Sequence, residues 1–380
     1  MGTARQTINH EFQDDLHNNS RFDSKQMQDF ANELDNIYRR IESEIGEKDL
    51  DYIKRVSKFS KTMEFTGRSL IHFSLDPLTF GTGVIALWLH KQLETTEIGH
   101  SVLHGAYDKY TTSKAFHSKS FRWDIPIDEE SWRYGHNFKH HTFTNIVGKD
   151  PDTHFGIVRL NSRIPHQWVH YIQLPIGLFL IVPNFSFSMN AHFTGLLDIY
   201  DIFSRKSRRN FDFLKSLSLQ EILSAHRKAF RKYIPYYTKN YVFYPMLAGP
   251  FFLKVLFGNW LAELMRDIYS SATIFCGHVG ADTQAYDEDT KSLNRGEWFA
   301  MQIEASNNFE VTLPLSILCG ALNRQIEHHL FPKLPPNRLR EIAPEVQAVC
   351  ERFGVDYRTD TWPNTLKKVV KQIAVLSVKK

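Results

Sequence analysis

The chain has 380 residues, of which 13% are aromatic, and a formal net charge of +4. Its mean hydropathy of −0.36 excludes a protein that lies mostly in the membrane, whereas its 29 phenylalanines suit a few lipid-facing segments. The mild charge, without a basic stripe interleaved with aromatic residues, excludes nucleic-acid binding. The three cysteines are far apart, which excludes a disulfide framework or a zinc ribbon and fits a reducing compartment.

Residues 1–65 are charged and favour helices. Apolar positions such as Phe30, Leu34 and Ile41 recur at helical spacing, so we expect N-terminal soluble helices with a break near Gly46. The polar start of the chain predicts no signal peptide.

Residues 66–360 contain apolar runs that predict a membrane-bound domain. We expect spans near 70–93 and near 240–278, since a crossing of about 30 Å needs about 20 apolar residues. The first run is long for one crossing and short for two. The second is predicted to be a hairpin that turns at Gly258–Asn259.

The stretch 168–187 is also apolar, but it contains two prolines, and we expect it to be interfacial or re-entrant. Residues 204–232 carry nine Lys or Arg against two acids, which predicts a cytoplasmic location. Beyond a polar region with a helix near 337–352, residues 361–380 are expected to form an amphipathic C-terminal helix.

Three histidine clusters stand out among the 18 histidines of the chain. They are EIGHSVLHG with His100 and His104, WRYGHNFKHHTF with His136, His140 and His141, and NRQIEHHLFP with Gln325, His328 and His329. Residues three or four apart share a helix face, so three helices can point seven imidazoles into one pocket. That number exceeds the ligands of one zinc ion and predicts two metal ions.

His278, just after the last apolar run, is an eighth candidate, because its depth matches the three clusters. The remaining histidines of apolar stretches are expected to be ordinary core residues. They are His72, His90, His154, His166, His170 and His192.

Two other metal chemistries fit the sequence poorly. A zinc peptidase needs His-Glu-x-x-His, but Ser101 and Asn137 follow the first histidines of the two pairs. A carboxylate-bridged di-iron bundle needs Glu-x-x-His pairs, whereas Glu327 merely adjoins His328. Imidazole alone suits iron, copper, nickel and zinc, so the residues leave the metal open.

The clusters resemble the three histidine boxes of the integral-membrane fatty-acid desaturase family. The resemblance runs from about residue 65 to residue 360, and it is closest to the bacterial acyl-CoA delta-9 branch. It implies an all-α membrane protein with about four transmembrane helices and a cytoplasmic helical cap that holds a di-iron site. In a bacterium the protein would lie in the inner membrane with its active site facing the cytoplasm.

The resemblance also implies the site residues. The ligands of two iron ions would be His100, His104, His136, His140, His141, His278, His328 and His329. Gln325 replaces a histidine of many relatives, and we expect a water-mediated contact there. Carboxylates near the boxes are expected to orient ligand imidazoles. The candidates are Asp108 and Asp152, together with Glu97 and Asp150.

The implied activity is insertion of a cis double bond into a long-chain acyl-CoA, with O2 as co-substrate. Two electrons would come from a separate reductase, ferredoxin or cytochrome, because the chain carries neither a haem-binding His-Pro-Gly-Gly motif nor a cysteine set for an iron–sulfur cluster. The alternatives are an acyl-lipid desaturase, a fatty-acyl hydroxylase with the same ligands, and a non-catalytic metal-binding membrane protein.

Overall fold

The computed structural model describes residues 24–110, 114–200 and 212–378. Expectations for the first 23 residues, and for residues 204–211 of the basic segment, therefore lie outside the described residues. The fold is mostly helical, as predicted. The α-helices are α1 Ser24–Glu44, α2 Glu47–Phe73, α3 Pro77–Leu93, α4 Ser101–Leu103, α5 Glu129–Trp132, α6 His141–Phe143, α7 Gln173–Ile176, α8 Phe185–Phe193, α9 Leu196–Tyr200, α10 Leu219–Thr238, α11 Tyr244–Leu247, α12 Phe252–His278, α13 Arg295–Glu304, α14 Leu313–Cys319, α15 Gln325–Leu330, α16 Pro336–Phe353 and α17 Trp362–Val378.

Shorter helical segments of other types connect several of these helices. The π-helices are Glu94–His100, Arg133–His140, Gly177–Ile181 and Lys239–Phe243. The 3-10 helices are Lys114–Phe116, Pro151–Thr153, Trp168–Ile172, Val182–Asn184 and Gly249–Phe251. In the described part of the chain the strands form two small sheets, antiparallel β1 His154–Phe155 with β2 Val158–Arg159 and parallel β3 Asn308–Glu310 with β4 Thr359–Thr361.

The predicted break near Gly46 is confirmed, because α1 ends at Glu44 and α2 begins at Glu47. The Asp49 carboxylate accepts a hydrogen bond from the Gly46 backbone N–H at 3.1 Å and caps the new helix. The apolar face of α1 packs on helices α13 and α16. Helix α2 continues past the expected boundary at residue 65 as far as Phe73.

Helices α2 and α3 form a tightly packed hairpin, so the apolar run 70–93 contains a turn. Asp76 accepts a hydrogen bond from the Thr79 N–H at 2.9 Å and caps α3, whose first residue is Pro77. The two helices cross at Gly67, where a Cβ atom would lie 2.5 Å from the Leu87 backbone nitrogen. Glycine is therefore needed for this close approach of two backbones.

The predicted turn at Gly258–Asn259 is wrong, since both residues lie inside α12. The chain turns earlier, at Gly249–Phe251, where Gly249 has a φ of +54°. A Cβ atom at Gly258 would lie 2.9 Å from Ile71 Cγ2, and Asn259 donates a hydrogen bond to the Asn240 carbonyl at 2.6 Å. These two residues serve contacts between helices, which sequence patterns do not distinguish from a turn.

The turn between α2 and α3 and the turn between α11 and α12 lie together, at the end of the helical bundle opposite the three histidine clusters. Lys254 at the start of α12 donates hydrogen bonds to the carbonyls of His72 and Ser74 at 2.9 and 2.8 Å. Leu75 and Leu253 in this region are 92% and 73% exposed. Large exposed apolar side chains at one end of a helical bundle mark contact with lipid or with another protein.

Within the described residues, Trp168–Phe193 is the one helical stretch whose length and composition suffice to cross a membrane. It is built from several short helical segments that include Pro175 and Pro183. Length and composition do not separate a crossing from an interfacial position, so the interfacial location of 168–187 stays a prediction. Helix α17 lies within the C-terminal segment where an amphipathic helix is expected.

Candidate metal centre

The first histidine cluster begins directly where α3 ends. The chain continues from Leu93 into the π-helix Glu94–His100 and then into α4, so that His100 and His104 follow one another with ring centroids 4.7 Å apart. The glycine before His100 lets the Trp123 indole pack onto this helix, where a Cβ atom would lie 1.8 Å from Nε1. The Trp123 N–H donates to the Glu94 carbonyl at 2.8 Å.

The other two clusters lie on helices that follow later in the chain. His136 and His140 lie on the π-helix Arg133–His140, and His141 begins α6. Helix α15 carries His328 and His329, which are both fully buried or nearly so. π-Helices are uncommon and are frequent at functional sites, since the extra residue per turn redirects side chains.

The first group of converging imidazoles contains His100, His104, His136 and His328, whose nitrogen atoms all lie within 4.8 Å of one another. The Nε2 atom of His136 is 3.2 Å from Nε2 of His100 and 3.3 Å from Nε2 of His141. His141 therefore borders this group, and its ring also stacks on His329 with centroids 4.4 Å apart.

The second group contains His140, His278 and His329. The Nε2 atom of His278 lies 3.2 Å from Nε2 of His140 and 3.0 Å from Nε2 of His329. The amide nitrogen of Gln325 is 2.7 Å from the same His278 atom. The structure thus brings all eight predicted histidines together, in two adjoining groups, with Gln325 at the edge of the second.

The geometry fits two metal ions. Nitrogen atoms that bind one ion at about 2.1 Å stand about 3.0–3.4 Å apart, which is the spacing of the closest nitrogen pairs in both groups. Buried Nε2 atoms of His104 and His328 lack a hydrogen-bond partner among the described residues. Burial lowers the pKa of His136, His141, His328 and His329 far below the usual value, so these rings are neutral and offer a lone pair.

Asp150 holds the opposite side of the His140 ring. Both carboxylate oxygens lie 3.1 Å from His140 Nδ1, and they also accept hydrogen bonds from the backbone N–H groups of Asn145 and Asp152. Burial alone lowers the pKa of His140, but the Asp150 carboxylate outweighs it and raises this pKa to about 9. The carboxylate thus holds a proton on Nδ1 and points Nε2 at the second group, where a metal ion would replace the second proton.

His329 and His278 are oriented by groups that the sequence did not indicate. His329 Nδ1 lies 3.1 Å from Gln302 Oε1 and 3.1 Å from Thr144 Oγ1, and both oxygens accept from it. His278 Nδ1 donates to the Ala305 carbonyl at 3.4 Å. Gln302 is distant in the chain from every histidine box, so only the folded arrangement reveals its contact.

The predicted carboxylates divide into two pairs. Asp150 and Asp152 approach ligand candidates, since Asp152 Oδ2 is 3.6 Å from His140 Nδ1 and its other oxygen is 3.2 Å from His192 Nε2. Asp108 instead accepts hydrogen bonds from the backbone and hydroxyl of Ser118, at 2.7 and 2.6 Å. Glu97 pairs with Arg340 at 2.6 Å and so joins the π-helix Glu94–His100 to α16.

The six histidines expected to be core residues each find a hydrogen-bond partner outside the two groups. The partners are the Tyr244 carbonyl for His72, Ser60 for His90, Asp212 for His154, the Ser377 carbonyl for His166, the Gln167 N–H for His170 and Asp152 for His192. His90 also lies near Glu64 and Asp124. Because Arg68 and Lys239 already pair with these acids at 2.9 and 2.7 Å, their charge is compensated without a metal ion.

A largely apolar cavity of about 80 Å³ runs beside both groups. Four of the histidines form part of its wall, namely His100, His136, His140 and His278. The remaining wall is mostly aromatic and aliphatic, with Phe155, Phe185, Met189 and Ile274 among its residues. A narrow cavity with such a wall suits a ligand that is mostly hydrocarbon.

Two groups of converging imidazoles beside an apolar cavity suit a metal-dependent enzyme that acts on a hydrocarbon chain. The comparisons with known proteins agree with this class. The fatty acid desaturase family profile matches residues 77–361, three quarters of the chain. The chain therefore belongs to the fatty acid desaturase family, whose members are oxidoreductases.

Individual relatives extend the match. The chain is 33% identical over 360 residues to the NADPH-dependent stearoyl-CoA 9-desaturase of Mycobacterium tuberculosis. This alignment covers 93% of this chain and 80% of the relative. It is 27% identical over 269 residues to the sn-1 linoleoyl-lipid 6-desaturase of Synechocystis, covering 69% and 70% of the two chains. It is 25% identical over 252 residues to human fatty acid desaturase 3, covering 64% and 49%.

Proposed function

We propose that the protein inserts a cis double bond at the delta-9 position of a long-chain acyl-CoA, with O2 as co-substrate. The observation that carries this proposal is the meeting of two imidazole groups in the wall of one apolar cavity. The mycobacterial relative, named for stearoyl-CoA 9-desaturation, supports the substrate and the position. Its name also includes NADPH dependence, which supports NADPH as the origin of two electrons that reach this chain through a separate donor protein.

The eight histidines are proposed to hold two iron ions. His100, His104, His136, His141 and His328 would hold one ion, and His140, His278 and His329 would hold the other, with Gln325 in contact through water. The two irons, when bound, supply with O2 the oxidising power that removes hydrogen from an unactivated carbon. No side-chain acid or base of the cavity wall could remove such a hydrogen, because a methylene group has no acidic proton.

The protein's own residues prepare this site in two ways. Asp150 and Gln302 keep protons on the Nδ1 atoms of His140 and His329, so that the Nε2 lone pairs face the ions. The apolar wall, including Phe155 and Met189, binds the acyl chain and excludes water from the reacting carbons.

The same proposal includes a membrane position. The hairpin α2–α3, together with α12 and the helical stretch from the end of α10 through α11, would supply four crossings, with the exposed apolar turns on the far side and the histidine clusters near the cytoplasmic surface. The exposed side chains Phe73 and Leu75 at 82% and 92% support lipid contact. Helix α10 carries Arg227, Lys228 and Arg231, which supports a cytoplasmic location for the cap.

One alternative has an observation in its favour. The cyanobacterial relative is named for desaturation of a lipid-linked chain at position 6, so an acyl-lipid substrate is the second candidate. A fatty-acyl hydroxylase would share the ligands, but its product would gain an oxygen atom instead of losing two hydrogens.

Fatty-acid profiling tests the proposal. The protein is expressed in a host that lacks delta-9 unsaturated acids, and the acyl-CoA and lipid fractions are analysed separately by mass spectrometry. We expect a new monounsaturated chain that appears first in acyl-CoA, no product with His140→Ala, and an unchanged product with His226→Ala. His226 is a suitable control because it lies on α10 and pairs with Tyr200. Equal profiles for active and His140→Ala proteins would contradict the proposal.

A further inference from the structure

A second apolar cavity, of about 210 Å³, shares two wall residues with the cavity beside the imidazole groups, which we call the catalytic cavity. It is bounded by the segment 174–182, by α12 and by the C-terminal helix α17, and we name it the lateral cavity. Its wall is almost entirely hydrocarbon. The residues that matter below are Gly177, Leu178, Ala272, Phe275, Val369 and Val370.

Aromatic rings lie at the common wall of the two cavities. Phe155 and Phe275 line both cavities. Phe185 lies between them, with its ring centroid 5.6 Å from that of Phe275 and 6.2 Å from that of Phe155. A change of rotamer by these aromatic side chains would open the partition to a thin chain.

One side of the lateral cavity lies at an exposed apolar surface. Leu178, which lines the cavity, is 43% exposed, and the next residues Phe179 and Leu180 are 81% and 62% exposed. All three belong to the stretch Trp168–Phe193 that is apolar enough for a membrane, so the cavity lies next to a surface that we expect to face lipid. The one side-chain hydroxyl of its wall, that of Ser271, already donates to the Ile268 carbonyl at 2.9 Å, so the wall has little polar surface to hold water.

We propose that the lateral cavity binds a long-chain fatty acyl group that passes between the bilayer and the catalytic cavity. The occupant is hydrocarbon, because a dry apolar cavity favours apolar ligands over water. Small residues at Gly177 and Ala272 leave the width that such a chain needs. Binding in this cavity stands by itself, whereas its use as a passage for substrate or product rests on the proposed function.

Photolabelling in vesicles tests the binding. The full-length protein is reconstituted in phosphatidylcholine and exposed to a long-chain fatty acid with a diazirine near its methyl end, and the labelled peptides are identified by mass spectrometry. We expect preferential labelling of peptides containing Ala272 and Val370, and competition by oleate. A phosphatidylcholine that carries the same diazirine should label these peptides far less.

Two substitutions narrow the cavity independently. Ala272→Phe places a ring in it, and Gly177→Leu adds a side chain where a Cβ atom meets nothing within 4 Å, so this variant should fold normally. Each should lower the labelling about tenfold, since a filled site no longer accommodates the chain. Ile85→Phe is the control, because Ile85 is 51% exposed on α3.

A third substitution tests the passage. Phe275→Ala opens the aromatic partition, and labels should then appear on Met189 and Leu322, which line the catalytic cavity. Three outcomes would overturn the proposed binding site. The label could be spread over all lipid-facing residues, it could be equal for both probes, or it could be unchanged in Ala272→Phe and Gly177→Leu. Labelling that never reaches Met189 in Phe275→Ala overturns the passage. Because labelling requires no turnover, a failed desaturation test would leave the binding result intact.

Discussion

Both carboxylate oxygens of Asp150 lie 3.1 Å from Nδ1 of His140, and the two side chains are 0% and 2% exposed. An imidazole held in this way keeps a proton on Nδ1, the nitrogen that faces away from the metal site. Its ring orientation is also fixed. Loss of such a partner lowers metal affinity by about 10–100-fold in known sites.

Asp150→Asn should therefore weaken iron binding by about 10–100-fold while the protein remains folded. The amide retains an oxygen for the Asn145 N–H but no longer carries the negative charge that holds the His140 proton. Iron titration of the metal-free protein, followed by optical spectroscopy, measures the effect. Asp108→Asn is a matched control, because Asp108 bonds Ser118 rather than a histidine, and an equal loss in both variants would contradict the assignment.

The two imidazole groups predict separable metal sites. His328→Ala removes a member of the first group and His278→Ala a member of the second, so each variant should retain one of the two irons. Elemental analysis of purified protein gives the iron content per chain, and circular dichroism checks the fold. Loss of both irons from either variant would show that the groups bind as one cooperative cluster, and loss of neither would contradict the ligand assignment.

Gln302 allows a test of a residue that only the structure reveals. Gln302→Leu is similar in size but removes the oxygen that accepts from His329 Nδ1, at 3.1 Å. We expect iron affinity to fall by about 10-fold or more, because Thr144 alone then holds that ring. Gln302→Glu keeps an acceptor oxygen and should retain most of the affinity, so equal losses in both variants would argue for a purely packing role.

Local patterns in the sequence predicted local features well. The helix expected near 337–352 is Pro336–Phe353, and the break near Gly46 lies where the charged and apolar pattern changes. The convergence of the three histidine boxes was also predictable, because imidazoles at helical spacing can bind a shared metal ion only if their helices meet. These inferences depend on periodicity and on residue chemistry, which the sequence records directly.

Contacts between distant parts of the chain were not predictable in this way. Gly258 and Asn259 are typical turn residues, but here they allow α12 to approach Ile71 and Asn240. Asp108 is close in sequence to His104, yet its carboxylate points to Ser118. The physical reason is the same in each case, because packing between helices decides the role of a residue whose local preference is weak.

The crossing of α2 and α3 predicts that substitution of two glycines by alanine has opposite effects on thermal stability. Gly67→Ala places a methyl group 2.5 Å from the Leu87 nitrogen, so the helices must separate, whereas Gly81→Ala meets no atom within 4 Å. Overpacking typically costs about 1–3 kcal/mol, and Ala in place of an exposed helical Gly gains about 1 kcal/mol. Thermal unfolding in detergent should therefore show a lower midpoint for Gly67→Ala and an equal or higher one for Gly81→Ala. Equal midpoints would contradict the close crossing.

The pair Glu97–Arg340 predicts how the first histidine helix is anchored. Arg340 donates to the two carboxylate oxygens of Glu97 at 2.6 and 3.2 Å, and the Glu97 side chain is 0% exposed. Arg340→Met leaves that carboxylate buried with only the Tyr52 hydroxyl as a side-chain partner, and breaking a buried pair in this way costs about 3–5 kcal/mol.

The double variant Glu97→Gln with Arg340→Met removes both charges and should recover part of this loss, which a double-mutant cycle of unfolding free energies measures. Because Glu97 precedes His100 by three residues without contacting its ring, the iron content of each folded variant should stay unchanged. Loss of iron without loss of stability would instead mean that Glu97 acts on the metal site directly. An additive cycle would mean that the two side chains do not stabilise each other, and the helix would then be held by apolar packing alone.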